Sequence, residues 1–460
     1  MIGLPPFLSF SENERILQLK ILMIILRTVK NISSLNIAAS VLLFLAAILA
    51  AVVANSSLSP VYQDFLLQEL HLRIGNFNLF SHGGHPLKMI EFINDCLMTV
   101  FFLAVGLEIK RELLVGELSS VRKAALPFIA ACGGMVVPVV IYALSVASGT
   151  PETWGMAIPM ATDIAFSLGV LSLLGKRVPL SLKIFLTAFA VVDDIGGILV
   201  IALFYSADVA YGYLIAAAVL YVFLYYMGKF GVTQKIFFLF FGVIIWYLFL
   251  QSGIHSTISG VILAFVIPAR PRLDAGKYIE RIRDIIGEFP VSKSDNIVLT
   301  NAQIATLKQV ERASDYVISP LQSLEDNLHG AVSFVILPLF AFANAGVVFS
   351  GSGSIVGDVS IAVAAGLLLG KFLGIYLFTW LAVKSGVALM PAGMNWKNIA
   401  GVSLLGGIGF TVSLFIANLS FADEYPELLN QAKFGVLVGT VLAGVLGYVV
   451  LNWVLPEREK

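Results

Sequence analysis

The sequence predicts an all-α membrane protein with about twelve transmembrane helices, and three observations support this fold class. The 460 residues are 58% hydrophobic and only 13% charged, with a mean hydropathy of +0.91, whereas about 25% of the residues of a soluble domain are charged. Twelve apolar runs approach or exceed the roughly 20 residues that cross the hydrocarbon core as a helix. Lysine and arginine are concentrated in every second loop. Together these features are typical of a multi-pass membrane protein.

The orientation follows from the basic residues. With the N-terminus inside, 24 of the 29 lysines and arginines fall on the cytoplasmic side, and only Arg73 and Lys88 lie in outside loops. This asymmetry follows the positive-inside rule, and it predicts that both termini are cytoplasmic. Residues 1–34 then form a cytoplasmic or interfacial segment, and 456–460 form a tail. The predicted spans of the transmembrane domain 35–455 are 35–55, 90–109, 125–147, 156–174, 180–205, 211–228, 235–251, 253–268, 327–349, 359–383, 398–420 and 431–454.

Two longer connections lie outside the predicted spans. The outside loop 56–89 has short alternating runs around a turn at 75–76, which predicts a small β-hairpin. Such a hairpin can pair across a dimer interface, although an ordinary ordered loop fits the sequence as well. His82 and His85 have the spacing of a metal-ligand pair, but a plain turn explains them better. The charged cytoplasmic loop 269–319 is predicted to be a solvated, partly helical linker.

Two adjacent aspartates, Asp193 and Asp194, lie in the middle of the fifth predicted span. An ionised carboxylate at the centre of a bilayer costs roughly 2.5–3.5 kcal/mol on insertion scales. Intramembrane acids mark ion or proton paths by default, so the pair predicts a functional site. Successive residues of a helix point about 100° apart, so the two carboxylates face different neighbours. Carboxylate oxygens suit a hard cation such as Na⁺ or Li⁺, and they also carry protons.

Two other spans are interrupted near their centres. The fourth contains Pro159 and Thr162-Asp163, and the eleventh contains the glycine-rich run 406–411. A simple proline kink and close packing on small residues are the alternative explanations. Spans three to five run opposite to spans ten to twelve in the predicted orientation, so the two triplets form inverted-topology repeats. Broken helices in such repeats place helix ends around an ion site at the midplane.

One basic residue, Lys371, lies near the centre of the tenth span. A buried lysine needs a counter-charge or loses its proton, and the aspartate pair is the obvious candidate, with snorkelling to the interface as the alternative. His255, near the start of the eighth span, is either a hydrogen-bonded structural histidine or a pH-responsive group.

Six motifs give a resemblance that covers residues from about 36 to 455. The sequence resembles the NhaA-type Na⁺/H⁺ antiporters in FFLAVGLEIKREL (101–113), ATDIAFSLGVL (161–171), VVDDIGG (191–197), LPLFAFANAG (337–346), GLLLGKFLGI (366–375) and GGIGFTVSLFIA (406–417). The resemblance implies that Asp194 is the main Na⁺ ligand, and that Asp193 contributes to the site and pairs with Lys371. It also implies that Thr162 and Asp163 support the ion and balance the helix dipoles.

The resemblance further implies a set of residues linked to pH response: Asp95, Glu108, Glu112, His255 and Glu325. The chain departs from the family pattern at Asp326, where a histidine is expected. The implied activity is electrogenic export of Na⁺ (and Li⁺) in exchange for protons, in a bacterial inner membrane. The expected partners are lipid, the transported ions and a second copy of the chain through 56–89. No cofactor, nucleic acid or enzymatic activity is expected.

Two other classes of protein also carry intramembrane acids. An aspartyl protease or prenyl transferase needs a second catalytic acid, or an Asp-rich loop at the interface, and here the pair is central and accompanied by a lysine. A channel fits inverted repeats and a buried Lys–Asp set poorly. The sequence therefore favours an exchanger over an enzyme or a channel.

Overall fold

The computed structural model describes residues 37–74, 77–82, 85–205, 209–270, 275–287, 300–349, 354–422 and 424–456. The predicted segment 1–34 and all but the first residue of the tail 456–460 lie outside these ranges.

The described chain is mostly helical, as expected where backbone polar groups must be satisfied within each membrane segment. Sixteen α-helices follow one another: α1 Ile37–Ala54, α2 Ser59–Leu67, α3 Met89–Val115, α4 Val121–Ser145, α5 Ile164–Leu173, α6 Leu180–Phe204, α7 Tyr211–Lys229, α8 Lys235–Leu250, α9 Thr257–Val266, α10 Ala275–Gly287, α11 Asn301–Val317, α12 Pro320–Asn344, α13 Asp358–Lys384, α14 Trp396–Leu405, α15 Phe410–Phe421 and α16 Pro426–Val454. A 3₁₀ helix, Pro151–Met160, precedes α5.

Eight of the described helices are long and apolar enough to cross a membrane: α1, α3, α4, α6, α7, α12, α13 and α16. The number becomes ten if each of two bent helix pairs is one span. Two shorter apolar helices, α8 and α9, lie where the seventh and eighth spans were predicted. The protein is thus an all-α, multi-pass membrane protein.

The two bent pairs lie where the sequence is interrupted. The 3₁₀ helix and α5 meet at 45°, and α14 and α15 meet at 44°. Pro159 lies near the end of the 3₁₀ helix, and the ring of a proline removes one backbone donor. Gly406, Gly407 and Gly409 fill the second break, where each glycine loses about 1 kcal/mol of helix stability relative to alanine.

Short strands and two further helices lie outside the spans. In the loop 56–89, β1 (Arg73–Ile74) pairs antiparallel with β2 (Phe77–Asn78), and β3 (Ser81–His82) pairs with β4 (His85–Pro86). His82 and His85 face each other across the second pair. No cluster of three or more metal-ligating side chains occurs in the parts of the chain that the structure describes. The loop 269–319 contains the amphipathic helices α10 and α11.

The larger helices form two groups by their packing. The first group contains the 3₁₀ helix, α4, α5, α6 and α13–α16, and the second contains α3, α7–α9 and α12. Within the first group, α4 and α13 approach so closely that a Cβ on Gly374 would lie 2.1 Å from the carbonyl oxygen of Gly133. This backbone contact fixes α13, which carries Lys371, against its neighbour.

Three of the long helices contain a π-helical turn. The turns are Ile93–Leu97 in α3, Val332–Ile336 in α12 and Gly366–Gly370 in α13. Such turns insert one extra residue into an α-helix and are frequent at functional sites.

A candidate ion site where two interrupted helices cross

The two breaks lie against each other, and each satisfies backbone groups that the other leaves free. Thr162 Oγ1 donates to the carbonyl oxygen of Gly406 over 2.8 Å, and the Asp163 amide donates to the carbonyl oxygen of Ile408 over 2.6 Å. A helix end leaves its last carbonyl groups without intrahelical partners. These donors therefore pair with carbonyl groups of the break between α14 and α15, which have no helix to satisfy them.

Asp163 bridges the N-termini of two helices. Its Oδ1 accepts from the Phe166 amide of α5 at 3.0 Å, and its Oδ2 accepts from the amide and the hydroxyl of Thr411 in α15 at 3.2 and 2.7 Å. A helix N-terminus carries a partial positive charge of about half a unit. The N-termini of α5 and α15 therefore both stabilise the Asp163 carboxylate. This compensates for its burial, since only 3% of the residue is exposed.

Lys371 and Asp193 form a fully buried ion pair. Lys371 Nζ lies 2.6 Å from Asp193 Oδ2, and neither side chain is exposed. The second carboxylate oxygen, Asp193 Oδ1, is buried and has no hydrogen-bond partner among the described residues. One oxygen of this carboxylate thus neutralises the lysine, while the other remains free to accept a donor or an ion.

Asp194 points elsewhere, into a cavity of about 280 Å³. The cavity is also lined by Thr162, Asp163 and Thr411 at the crossing. At its other end it is lined by Glu108, Arg111, Glu325 and His329. Asp193 and Lys371 do not line it. Thus the structure brings Asp194, Asp163 and Thr162 to one cavity that has room for several waters, and Asp193 lies outside its lining.

The far end of the cavity carries a half-buried charged cluster. Arg111 Nε lies 2.8 Å from Glu325 Oε1, and Arg111 Nη1 lies 2.9 Å from Glu112 Oε1. Asp326 is exposed. We call this end of the molecule the inner end, after the predicted orientation. Of the residues that the resemblance links to pH response, Glu108 and Glu325 therefore line this end of the cavity, and Glu112 is joined to it through Arg111.

Asp95 and His255 meet at the opposite, outer end. Asp95 lies in the π turn of α3, and its Oδ1 is 3.8 Å from His255 Nε2 and 3.3 Å from Ser256 Oγ. This pair is not joined to the inner cluster, because the two lie at opposite ends of α3. The pH-response candidates are thus divided between two ends of the molecule.

Some polar residues of the site were not singled out from the sequence. Thr411 supplies two donors to Asp163, and Ser167 Oγ donates to the carbonyl oxygen of Leu405 at 3.0 Å. The position of Thr411 directly after the glycine run was the available signal. Three asparagines, Asn94, Asn344 and Asn418, are also joined by hydrogen bonds near the outer end, and no sequence pattern connects them.

Comparisons with known proteins agree with the sequence resemblance. The family model described as "Na+/H+ antiporter 1" matches residues 30–451. A protein of Bacteroides thetaiotaomicron named "Na(+)/H(+) antiporter NhaA" is 74% identical over 438 residues, which are 95% of this chain and 100% of the relative. Proteins of the same name from Bacteroides fragilis (strain YCH46) and Porphyromonas gingivalis (strain ATCC 33277) are 75% and 47% identical, over 95% and 94% of this chain and 100% and 96% of the relatives. The chain belongs to the Na⁺/H⁺ antiporter 1 family.

Proposed function

We propose that this protein exports Na⁺ (and Li⁺) in exchange for protons through a single site at Asp194. The observation that supports this most directly is the division of the aspartate pair. Asp194 faces the cavity, whereas Asp193 is held by Lys371. A carboxylate that faces water at membrane depth can bind either a hard cation or a proton, and competition between the two couples their movements.

The neighbours of Asp194 suit a small cation. Thr162 and Asp163 line the same cavity, and the buried Asp193 Oδ1 lacks a partner among the described residues. We infer that Asp194 is the main Na⁺ ligand, with Asp193, Asp163 and Thr162 completing the site. Lys371 balances the charge of Asp193 while the site carries protons. We also propose, from the family resemblance, that exchange is electrogenic, with more protons entering than sodium ions leaving.

Access to the site alternates through movement of the crossed helices. In this proposal the two bent pairs are broken spans four and eleven of twelve, related by inverted-topology repeats. Opposed helix ends at the midplane support the ion without a continuous helix blocking its path. The protein lies in a bacterial inner membrane with cytoplasmic termini. The short strands of 56–89 are the proposed contact of a homodimer.

The pH response is assigned to both ends of the molecule. Glu108, Glu112 and Glu325 lie at the inner mouth, and Asp95 and His255 lie at the outer end. In this proposal the protein binds the transported ions and membrane lipid, and it needs no cofactor and no catalytic residue.

A flux measurement tests the proposal against its alternatives. Purified protein is reconstituted in vesicles, and ²²Na⁺ movement is followed with and without an imposed pH gradient. An exchanger drives Na⁺ uphill when the gradient is present, and acidifies or alkalinises the lumen when Na⁺ is added. Downhill Na⁺ movement that ignores the pH gradient indicates a channel, and no Na⁺ movement in either condition contradicts both transport readings.

A further inference from the structure

The contacts between the two helix groups have an apolar part and a polar part. In the apolar part, Phe415 of α15 packs against Phe102 of α3 and Phe340 of α12. Among the described helix pairs, the extensive contacts between the groups are those of α3 with α6 and of α12 with α15. The helix α15 begins at the crossing, where Thr411 binds Asp163, and runs outward. Any movement of the crossed helices against the second group must therefore change the α12–α15 contact.

The α12–α15 contact contains a hydrogen bond between two asparagine amides. Asn418 Nδ2 of α15 donates to Asn344 Oδ1 of α12 at 2.8 Å. Asn344 Nδ2 donates in turn to Asn94 Oδ1 of α3 at 2.8 Å, and to the carbonyl oxygen of Phe340 at 3.0 Å. Asn344 is fully buried. The three amides thus join the first helix group, through Asn418, to two helices of the second.

These amides lie outside the cavity, at the end of α12 opposite to Glu325. Glu325, at the mouth of the cavity, and Asn344 are on the same helix and about 28 Å apart along its axis, at 1.5 Å per residue. Asn418 is about 10 Å beyond Thr411 along α15. None of the three asparagines lines the cavity. The cavity therefore extends from Asp194 toward Glu325 and does not reach the three asparagines.

The chemistry of the contact suits a closure that opens and reforms. An amide–amide hydrogen bond is neutral, so it neither binds a passing cation tightly nor changes with pH. Its net contribution is small because water replaces the lost partner when the contact becomes wet. An apolar contact at the same place would lose its stabilisation on hydration, and a buried ion pair would cost more to separate.

We propose that the Asn418–Asn344 contact, supported by Asn94, is the outer latch of the transport path: it holds the helix groups together while the site faces inward and separates when the site faces outward. This inference rests on the proposed exchange with alternating access. It adds residues that position the moving helices and touch neither ion.

A reversible crosslink tests the latch. In a variant with Cys96 and Cys132 replaced by serine, Asn344→Cys and Asn418→Cys are joined by a short bis-methanethiosulfonate reagent. Na⁺-dependent proton movement in vesicles should fall at least tenfold and return on reduction. The matched control joins Gly357→Cys to Gln431→Cys, which are adjacent but lie within the first group. That crosslink should leave exchange unchanged.

The outcomes separate this inference from the proposed exchange. If the unsubstituted protein shows no Na⁺-dependent proton movement, the proposed function fails, and the latch is then tested by the labelling measurement alone. If the parent exchanges and the crosslinked Asn344–Asn418 variant exchanges equally well, the latch is wrong.

A second measurement does not depend on the activity of a crosslinked variant. Leu414 is buried and lies one helical turn before Asn418 in α15. Asn418 Nδ2 donates a hydrogen bond to the Leu414 carbonyl oxygen. In a Leu414→Cys background, Asn418→Ala should raise labelling by an impermeant thiol reagent from the outside about fivefold, the factor expected for one ordinary hydrogen bond. Asn344→Ala should do the same, and the two together no more than either alone. Asn398→Ala, at a buried asparagine of α14, should have no effect. Labelling that is unchanged in Asn418→Ala overturns the proposal.

Discussion

Two ion pairs of this protein have the same chemistry in different surroundings. Lys371 and Asp193 are 2.6 Å apart with both side chains fully buried, whereas Arg111 and Glu325 are 2.8 Å apart with 32% and 20% of their side chains exposed. The first pair lies outside the cavity lining, next to the proposed ligand Asp194 in the sequence, and both residues of the second pair line the cavity. Removing one partner of a dry pair leaves a charge without water, whereas a wet pair is replaced by solvent at little cost. Burial, and not distance, therefore decides how strongly each region depends on its charges.

The largest effect on exchange is expected at Asp194, which lines the cavity together with Arg111 and Glu325 and is adjacent in sequence to Asp193. Asp194→Asn removes the ionisable group and leaves a side chain of nearly equal size. Na⁺-dependent proton movement in everted vesicles should be lost completely, because neither ion has its main ligand. Asp64→Asn, at an exposed carboxylate of α2, is the control and should exchange normally. Undiminished exchange by a correctly inserted Asp194→Asn variant contradicts the site assignment.

The next effect tests the dry pair itself. Lys371→Ala leaves the Asp193 carboxylate buried without its partner, which should cost about 3–5 kcal/mol of stability. Thermal unfolding in detergent measures the loss. The double variant Lys371→Met/Asp193→Asn should recover most of the lost stability, because two neutral side chains need no charge compensation. Equal melting temperatures for the parent and Lys371→Ala would show that the buried pair does not depend on both of its charges.

A smaller effect is expected at the crossing. Thr411→Val removes the hydroxyl that donates to Asp163 Oδ2 at 2.7 Å but keeps the shape of the side chain. We expect a loss of about 1–2 kcal/mol in unfolding free energy, together with a weaker apparent affinity for Na⁺ in the vesicle assay. Thr411→Ser keeps the hydroxyl and is the control. The hydrogen bond is unimportant if the two variants behave alike.

The smallest effect on stability is expected at the wet pair. Glu325→Gln, which leaves Arg111 paired with Glu112, should cost about 0.5 kcal/mol. Its coupling with Arg111→Gln in a double-mutant cycle should largely disappear in 1 M salt, where the screening length is about 3 Å. The pH–exchange curve of the variant is the more sensitive measurement, since this cluster lines the cavity mouth. A coupling of several kcal/mol that resists salt would mean that the inner cluster is as dry as the crossing.

The sequence predicted well what depends on local composition. Apolar length located the helices, because a helix that crosses lipid must satisfy its own backbone. Proline and glycine marked both breaks, because they weaken a helix wherever they occur. The depth of Asp193 and Asp194 pointed to the proposed site, because acids within a membrane span mark ion or proton paths by default.

Contacts between distant segments could not be read from the sequence. Helix geometry separates the directions of Asp193 and Asp194, but it does not say which of them faces a lysine 177 or 178 positions away; the family resemblance supplied that choice. The meeting of Asp95 with His255 was not predicted, because it depends on the rotation of α3 against α9. The π turns add to the difficulty, since each shifts the phase of the residues that follow it.

The π turn Gly366–Gly370 has a consequence for how this chain can change over evolution. It directly precedes Lys371, and it takes up one extra residue while the helix on both sides keeps its direction. Deleting one residue here would relax the turn into regular helix and leave Lys371 directed toward Asp193. A single-residue deletion in the regular helix before the turn, within 358–365, would instead turn Lys371 by about 100° relative to the start of α13. The turn is therefore the part of α13 in which the chain can change its length by one residue without losing the Lys371–Asp193 pair.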